Sequence, residues 1–113
     1  ERDLFAHAAR VGEAFQARLH ALADHPLVGN TRGRGLIGAV ELVADKESKQ
    51  PFEASQAVGY NAMRFCEENG LIVRALGDSL ALCPPLIITA DQVDEVFTKM
   101  ARALDQTQAW LGR

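Results

Sequence analysis

The run from Leu71 to Thr89 is too apolar to stay in water and too broken to be one helix. Gly77-Asp78 interrupts it once and Pro84-Pro85 interrupts it again. Breaks of this kind leave short extended segments rather than helical turns. Leu71–Leu76 and Leu80–Cys83 are therefore predicted as two strands joined by a tight hairpin, with Gly77 at the first central position of a type II′ turn. Side chains alternate between the faces of a strand. Leu71, Val73 and Ala75 point one way, and Ile72, Arg74 and Leu76 point the other. Arg74 is thus a permanent cation on a strand otherwise fit for burial. Its planar fork suits a carboxylate held in two parallel hydrogen bonds. On pattern alone, an ion pair within the domain or simple exposure at a sheet edge is the more frequent explanation.

A hairpin this apolar needs elements to cover it, and the rest of the chain supplies them. Residues 3–23 have Leu4, Ala8, Val11, Phe15, Leu19 and Leu22 at spacings of three and four, which predicts an amphipathic helix. Asp24-His25-Pro26 stops it, because the residue before a proline avoids helical angles. Val28–Arg32 is predicted as a short strand, Gly33-Arg34-Gly35 as a turn or bulge, and Leu36–Val43 as a second strand. A polar loop follows from Ala44 to Phe52. Residues 55–69 form a predicted helix with Val58, Ala62, Phe65 and Cys66 on its apolar stripe, ended by Asn69-Gly70 as a left-handed cap pair. Thr89 and Gln92 make a capping box for a last helix over 90–111. Val93, Phe97, Met100, Leu104 and Leu111 line that helix, widened by Val96, with Trp110 near its end.

Helix, strand, strand, helix, strand, strand, helix predicts an α+β two-layer sandwich in one domain over residues 1–113. Its mostly antiparallel sheet has about four strands, with three helices on one face. Ile72, Leu76 and Ala81 then lie on the other face, which is too apolar for water and is expected to dock against something.

Several classes of function drop out. A formal net charge of -3 gives no reason to expect nucleic acid or an anionic membrane as partner. Arg74, Asp78 and the prolines rule out a membrane span in the apolar run. Cys66 and Cys83 sit in apolar pattern and read as small core residues of a reducing compartment, the cytoplasm, rather than as a disulfide. His7, His20 and His25 share no metal-binding spacing and are expected as solvated surface and turn residues. Arg32-Gly33-Arg34-Gly35 lacks the spacing of a phosphate loop and reads as a structural turn with exposed arginines. No nucleophile–base constellation stands out, and Asp45, Glu67 and Glu68 lie in polar settings where carboxylates are solvated. Glu1 leads directly into helical pattern without a cap, so the natural chain is expected to continue upstream.

Four blocks carry a resemblance. They are Arg32 to Leu42, Asn69 to Asp78, Leu82 to Thr89, and Asp94-Glu95 in the final helix. In order and spacing they resemble the C-terminal part of class III pyridoxal-phosphate aminotransferases. Within that class they are most similar to the omega-amino-acid/amine:pyruvate transaminase branch. The resemblance implies a parent enzyme of fold type I that moves an amino group between an amine or amino acid and a keto acid such as pyruvate. It implies a homodimer with active sites at the subunit interface, and pyridoxal phosphate as cofactor. Arg74 matches the mobile arginine of that branch, which pairs with the substrate carboxylate in one half-reaction and swings aside in the other. The lysine that carries the cofactor, the aspartate at its ring nitrogen and the phosphate-binding residues belong to a large domain that this chain lacks. Lys46 and Lys49 lie in a polar loop and Lys99 on a helix surface, so none has the apolar pocket such a lysine needs. The expectation is that this chain holds no catalytic, cofactor-binding or metal-binding residue and is inactive alone. A free-standing, non-enzymatic α+β domain for interaction or for binding a small carboxylate is the competing expectation.

Overall fold

In the computed structural model, residues 4–84 and 88–113 are described, with Leu4, Phe5 and Ala8 described by backbone alone. The expected stripe positions Leu4 and Ala8, and Pro85, Leu86 and Ile87 of the apolar run, therefore lie outside the described side chains or residues. Helix α1 runs Leu4–Ala21 and tightens into a 3₁₀ turn at Leu22–Asp24. His25 is extended, with ψ at 138°, as its place before Pro26 requires. Val11, Phe15, Leu19 and Leu22 are buried, so the predicted stripe is the packed one.

Strands β1 (Val28–Arg34), β2 (Ile37–Leu42), β3 (Arg74–Leu76) and β4 (Ser79–Leu82) form one antiparallel sheet in the order β1-β2-β4-β3. Two local expectations need correction. Gly33 and Arg34 are strand residues paired with Gly38 and Ile37, so the turn falls later, at Gly35 with φ at 59°. The irregularity lies between Val28 and Asn30. Gly33 and Gly38 serve packing instead of turning: a Cβ on either would come within 2.8 Å of Leu19 Cδ2. Their bare backbones let α1 lie close on the sheet. The predicted strand Leu71–Leu76 pairs only from Arg74, because β4 ends at Leu82 ahead of Pro84, which has no N–H for a ladder.

Helix α2 is Val58–Glu68, shorter than the predicted 55–69. A 3₁₀ turn at Ala54–Gln56 precedes it, and Ala57 between them is left-handed at φ 50° and ψ 46°. That angle breaks what periodicity joins. Asn69 and Gly70, with Gly70 at φ 82°, end α2 as expected. Helix α3 spans Ala90–Trp110, and Thr89 and Gln92 exchange both hydrogen bonds of a capping box. Val93, Phe97, Met100 and Leu104 are buried, while Leu111 is half-buried.

The three helices cover one sheet face, making the α+β two-layer arrangement. Val40, Leu42, Leu80 and Leu82 point into this core. Phe15 of α1 meets Phe97 of α3 edge to face with centroids 5.0 Å apart. On the opposite face Ile37, Leu76 and Ile72 are 62%, 61% and 88% exposed.

Candidate functional site

Arg74 opens β3, and β3 is an edge strand. Its alternation is the expected one: Leu71 and Val73 are buried beneath the helices, while Ile72, Arg74 and Leu76 are exposed. The guanidinium makes no hydrogen bond or ion pair with another described residue. The expectation of an ion pair within the domain therefore finds no described partner, and edge exposure is what the structure has.

Registry builds a row across the outer face. Arg74 pairs with Ala81, Ala81 with Ala39, and Ala39 with Arg32. Strand spacing puts the two arginine Cα atoms ~14 Å apart with two methyl groups between them. Arg32 is thus brought onto the face of Arg74 but at the far edge of the sheet. Arg34 pairs with Ile37 at the end of the same hairpin. Arg32 and Arg34 are exposed, as expected, although they stand on a strand and not in a turn.

The tip beside Arg74 is held firmly. Gly77 has φ at 61° and Asp78 does not have positive φ, which is the type II′ pattern. Asp78 Oδ1 accepts a hydrogen bond from the Gly59 N–H at 3.0 Å, at the start of α2. The Asp78 carbonyl accepts from the Leu42 N–H at 2.9 Å, at the end of β2. Under the tip, on the face opposite Arg74, Phe52, Tyr60, Met63, Ala75 and Gly77 line a cavity of about 390 Å³. No arginine lines it, so it is separate from the Arg74 surface. Sequence reading missed the Asp78–Gly59 contact. The only signal was a glycine in the first turn of a helix, where helix propensity disfavours it.

The three lysines are committed elsewhere. Lys46 Nζ donates to the carbonyls of Ala23 and His25, Lys49 Nζ to the carbonyl of Gly29, and Lys99 pairs with Glu95 at 2.9 Å. Lys49 and Lys99 each border an open cavity, of about 320 and 280 Å³, but their ammonium groups are already held by the Gly29 carbonyl and by Glu95. These residues do not fit a pyridoxal-phosphate site. The histidines differ from expectation. Only His20 is an exposed helix residue, bonded to Thr31 Oγ1 at 2.7 Å. His7 Nε2 lies 2.8 Å from the Ile88 carbonyl, and His25, only 12% exposed, pairs with Asp105 at 2.9 Å. They are spread over three contacts, and no group of His, Cys, Asp and Glu among the described residues is placed to hold a metal. No described helix is long and apolar enough to cross a membrane.

Comparison with known proteins bears on the whole of this arrangement. The family described as aminotransferase class-III matches residues 1–104. A putrescine–pyruvate aminotransferase of Pseudomonas aeruginosa is 44% identical over 101 residues, covering 89% of this chain and 22% of that protein. A transaminase variant solved with SMBA superposes with a TM-score of 0.93 at 49% identity, over 99% of this chain and 26% of that one. A thermostable omega transaminase mutant from Pseudomonas jessenii gives a TM-score of 0.91 at 45% identity, over 97% and 24%. The chain thus spans about a quarter or less of the length of these relatives.

Proposed function

Since this chain belongs to the class-III aminotransferases, we propose that it is the C-terminal small-domain portion of an omega-amino-acid/amine:pyruvate transaminase, with Arg74 as the group that receives the substrate carboxylate. The parent moves an amino group between an amine or amino acid and a keto acid. Pyridoxal phosphate, when bound by the rest of the enzyme, supplies the electron-accepting chemistry. The part played by this chain is binding and orientation. Arg74 offers a rigid fork of donors at the edge of an apolar face, and it returns to solvent when the substrate carries no carboxylate. The outer sheet face, with Ile37, Ile72 and Leu76 exposed, is the surface that docks on the large domain of the same homodimeric enzyme. The unpaired Cys66 and Cys83 agree with a cytoplasmic setting.

The observation that carries this reading is the Arg74 guanidinium, exposed and without a described partner on a sheet face otherwise apolar around it. Arg74→Ala in the intact transaminase tests it. A lost charged hydrogen-bond pair costs about 1.5–3 kcal/mol. Turnover of an α-keto acid falls accordingly, while binding of a simple aryl amine is little changed. Equal losses for both substrates remove the carboxylate role. The lysine contacts add a second expectation: the 113-residue chain incubated with pyridoxal phosphate and reduced with borohydride gains no stoichiometric adduct. One specific adduct on Lys46, Lys49 or Lys99 would overturn the division of labour between this chain and the rest of the enzyme.

A further inference from the structure

We infer that Asp78, seated on Gly59, is a positioning residue for Arg74, an inference that rests on the carboxylate-binding role given to Arg74 above. Strand β3 has three residues and a single neighbour, β4, so its own ladder is a weak anchor for a side chain that must be placed accurately. Three contacts at the hairpin tip supply what the ladder lacks. The Asp78 side chain accepts from the Gly59 N–H at 3.0 Å. The Asp78 carbonyl accepts from the Leu42 N–H at 2.9 Å. The Gly77 carbonyl occupies the space where a side chain at Gly59 would begin, since a Cβ built there would lie 2.0 Å from that oxygen. The tip is therefore seated on α2 and on the end of β2 together.

The helix needs this contact as much as the hairpin does. Ala57, at the N-cap of α2, has no side chain able to cap, and no residue of the helix's own sequence supplies the missing acceptor. Asp78 provides it from the hairpin tip, and a carboxylate there is also favoured by the helix dipole. Arg74 stands three residues before Gly77, on the opposite face from the seat. Clamping one face of so short a strand fixes the backbone beneath Arg74 while leaving the guanidinium free. Its swing is then a change of side-chain rotamer on a fixed base. Bidentate recognition tolerates misplacement of only ~0.5 Å, so a loosened tip costs carboxylate binding first.

The test uses the intact transaminase with Asp78→Ala, Asp78→Asn and Gly59→Ala beside Arg74→Ala. Asp78→Ala removes the acceptor and raises KM for the α-keto acid about fivefold or more, with KM for an uncharged aryl amine within about twofold. Asp78→Asn keeps an oxygen acceptor and recovers most of the loss. Gly59→Ala keeps Asp78 but pushes the tip away, and gives the same selective loss. Hydrogen exchange at the Gly59 amide quickens in Asp78→Ala. If Arg74→Ala is selective for the keto acid and Asp78→Ala and Gly59→Ala are not, the positioning role is overturned and the Arg74 role stands. If Arg74→Ala shows no selectivity, both fall. A uniform loss for both substrates, or unchanged exchange at Gly59, also overturns the positioning role.

Discussion

Arg74 stands directly opposite Ala81 in the β3–β4 ladder, so a guanidinium faces a methyl group across the strand pair. A partner this small neither pairs with the arginine nor blocks it. Charges directly opposite each other in a ladder interact by about 0.2–1 kcal/mol. Ala81→Asp should therefore capture Arg74 and leave the fold equally or slightly more stable, and Ala81→Lys should destabilise it. Urea denaturation in low salt is expected to separate the two variants by about 1 kcal/mol, and molar salt should close most of that gap. Equal midpoints in low salt would mean that the two side chains do not meet.

The hairpin turn makes a separate demand. Gly77 has φ at 61°, yet nothing lies within 4 Å of a Cβ built on it. A side chain there has room but no comfortable backbone. Gly77→Val is expected to cost about 1–3 kcal/mol through backbone strain alone. A melting temperature equal to that of the parent chain would refute the turn assignment.

How far the sequence could be read depended on whether a feature was local. Gly77, Asn69-Gly70 and the Thr89–Gln92 box each act within a few residues, and each does in the structure what its neighbours imply. The apolar stripes of α1 and α3 were legible for the same reason, because 3.6-residue periodicity is written along the chain. The glycines at 33 and 38 misled because their purpose is distant: they make room for Leu19, which a turn-based reading has no means of seeing. Ala57 carries no turn signal at all, and its left-handed angle belongs to the route between Phe52 and α2. At the site, Arg74 was visible as an oddity. Neither its lack of a described partner nor the seat of Asp78 on Gly59, nineteen residues away, follows from spacing.

Core packing between α1 and α3 gives a third expectation. Phe15 and Phe97 are 0% and 1% exposed, with rings inclined at 68°. Phe97→Ala leaves a cavity between α1 and α3, and is expected to cost about 3–5 kcal/mol. The double-mutant cycle with Phe15→Ala should return a coupling of about 0.5–1.5 kcal/mol for the edge-to-face pair. Additive losses would show that the rings share burial without interacting.

The two thiols should behave oppositely. Cys83 is exposed beside Pro84 and is not the core residue its apolar surroundings predicted, whereas Cys66 is fully buried as expected, with Sγ 3.9 Å from Met100 Sδ. Burial pushes the Cys66 thiol from its ordinary 9.0 up to about 12, and the neighbouring Glu67 charge adds to the rise. Mild alkylation should modify Cys83 alone until denaturant exposes Cys66. The raised pKa also fixes a sign. The unfolded thiol ionises from pH 9.0 upward while the folded one stays protonated toward 12, so stability from this group is complete below 9.0 and is lost as pH rises through that window. The slope there approaches 1.4 kcal/mol per pH unit, as an order of magnitude. Cys66→Ala should start less stable near neutrality and lose less between about pH 8 and about pH 10. Parallel declines for the two proteins in urea unfolding would assign the alkaline loss to other groups.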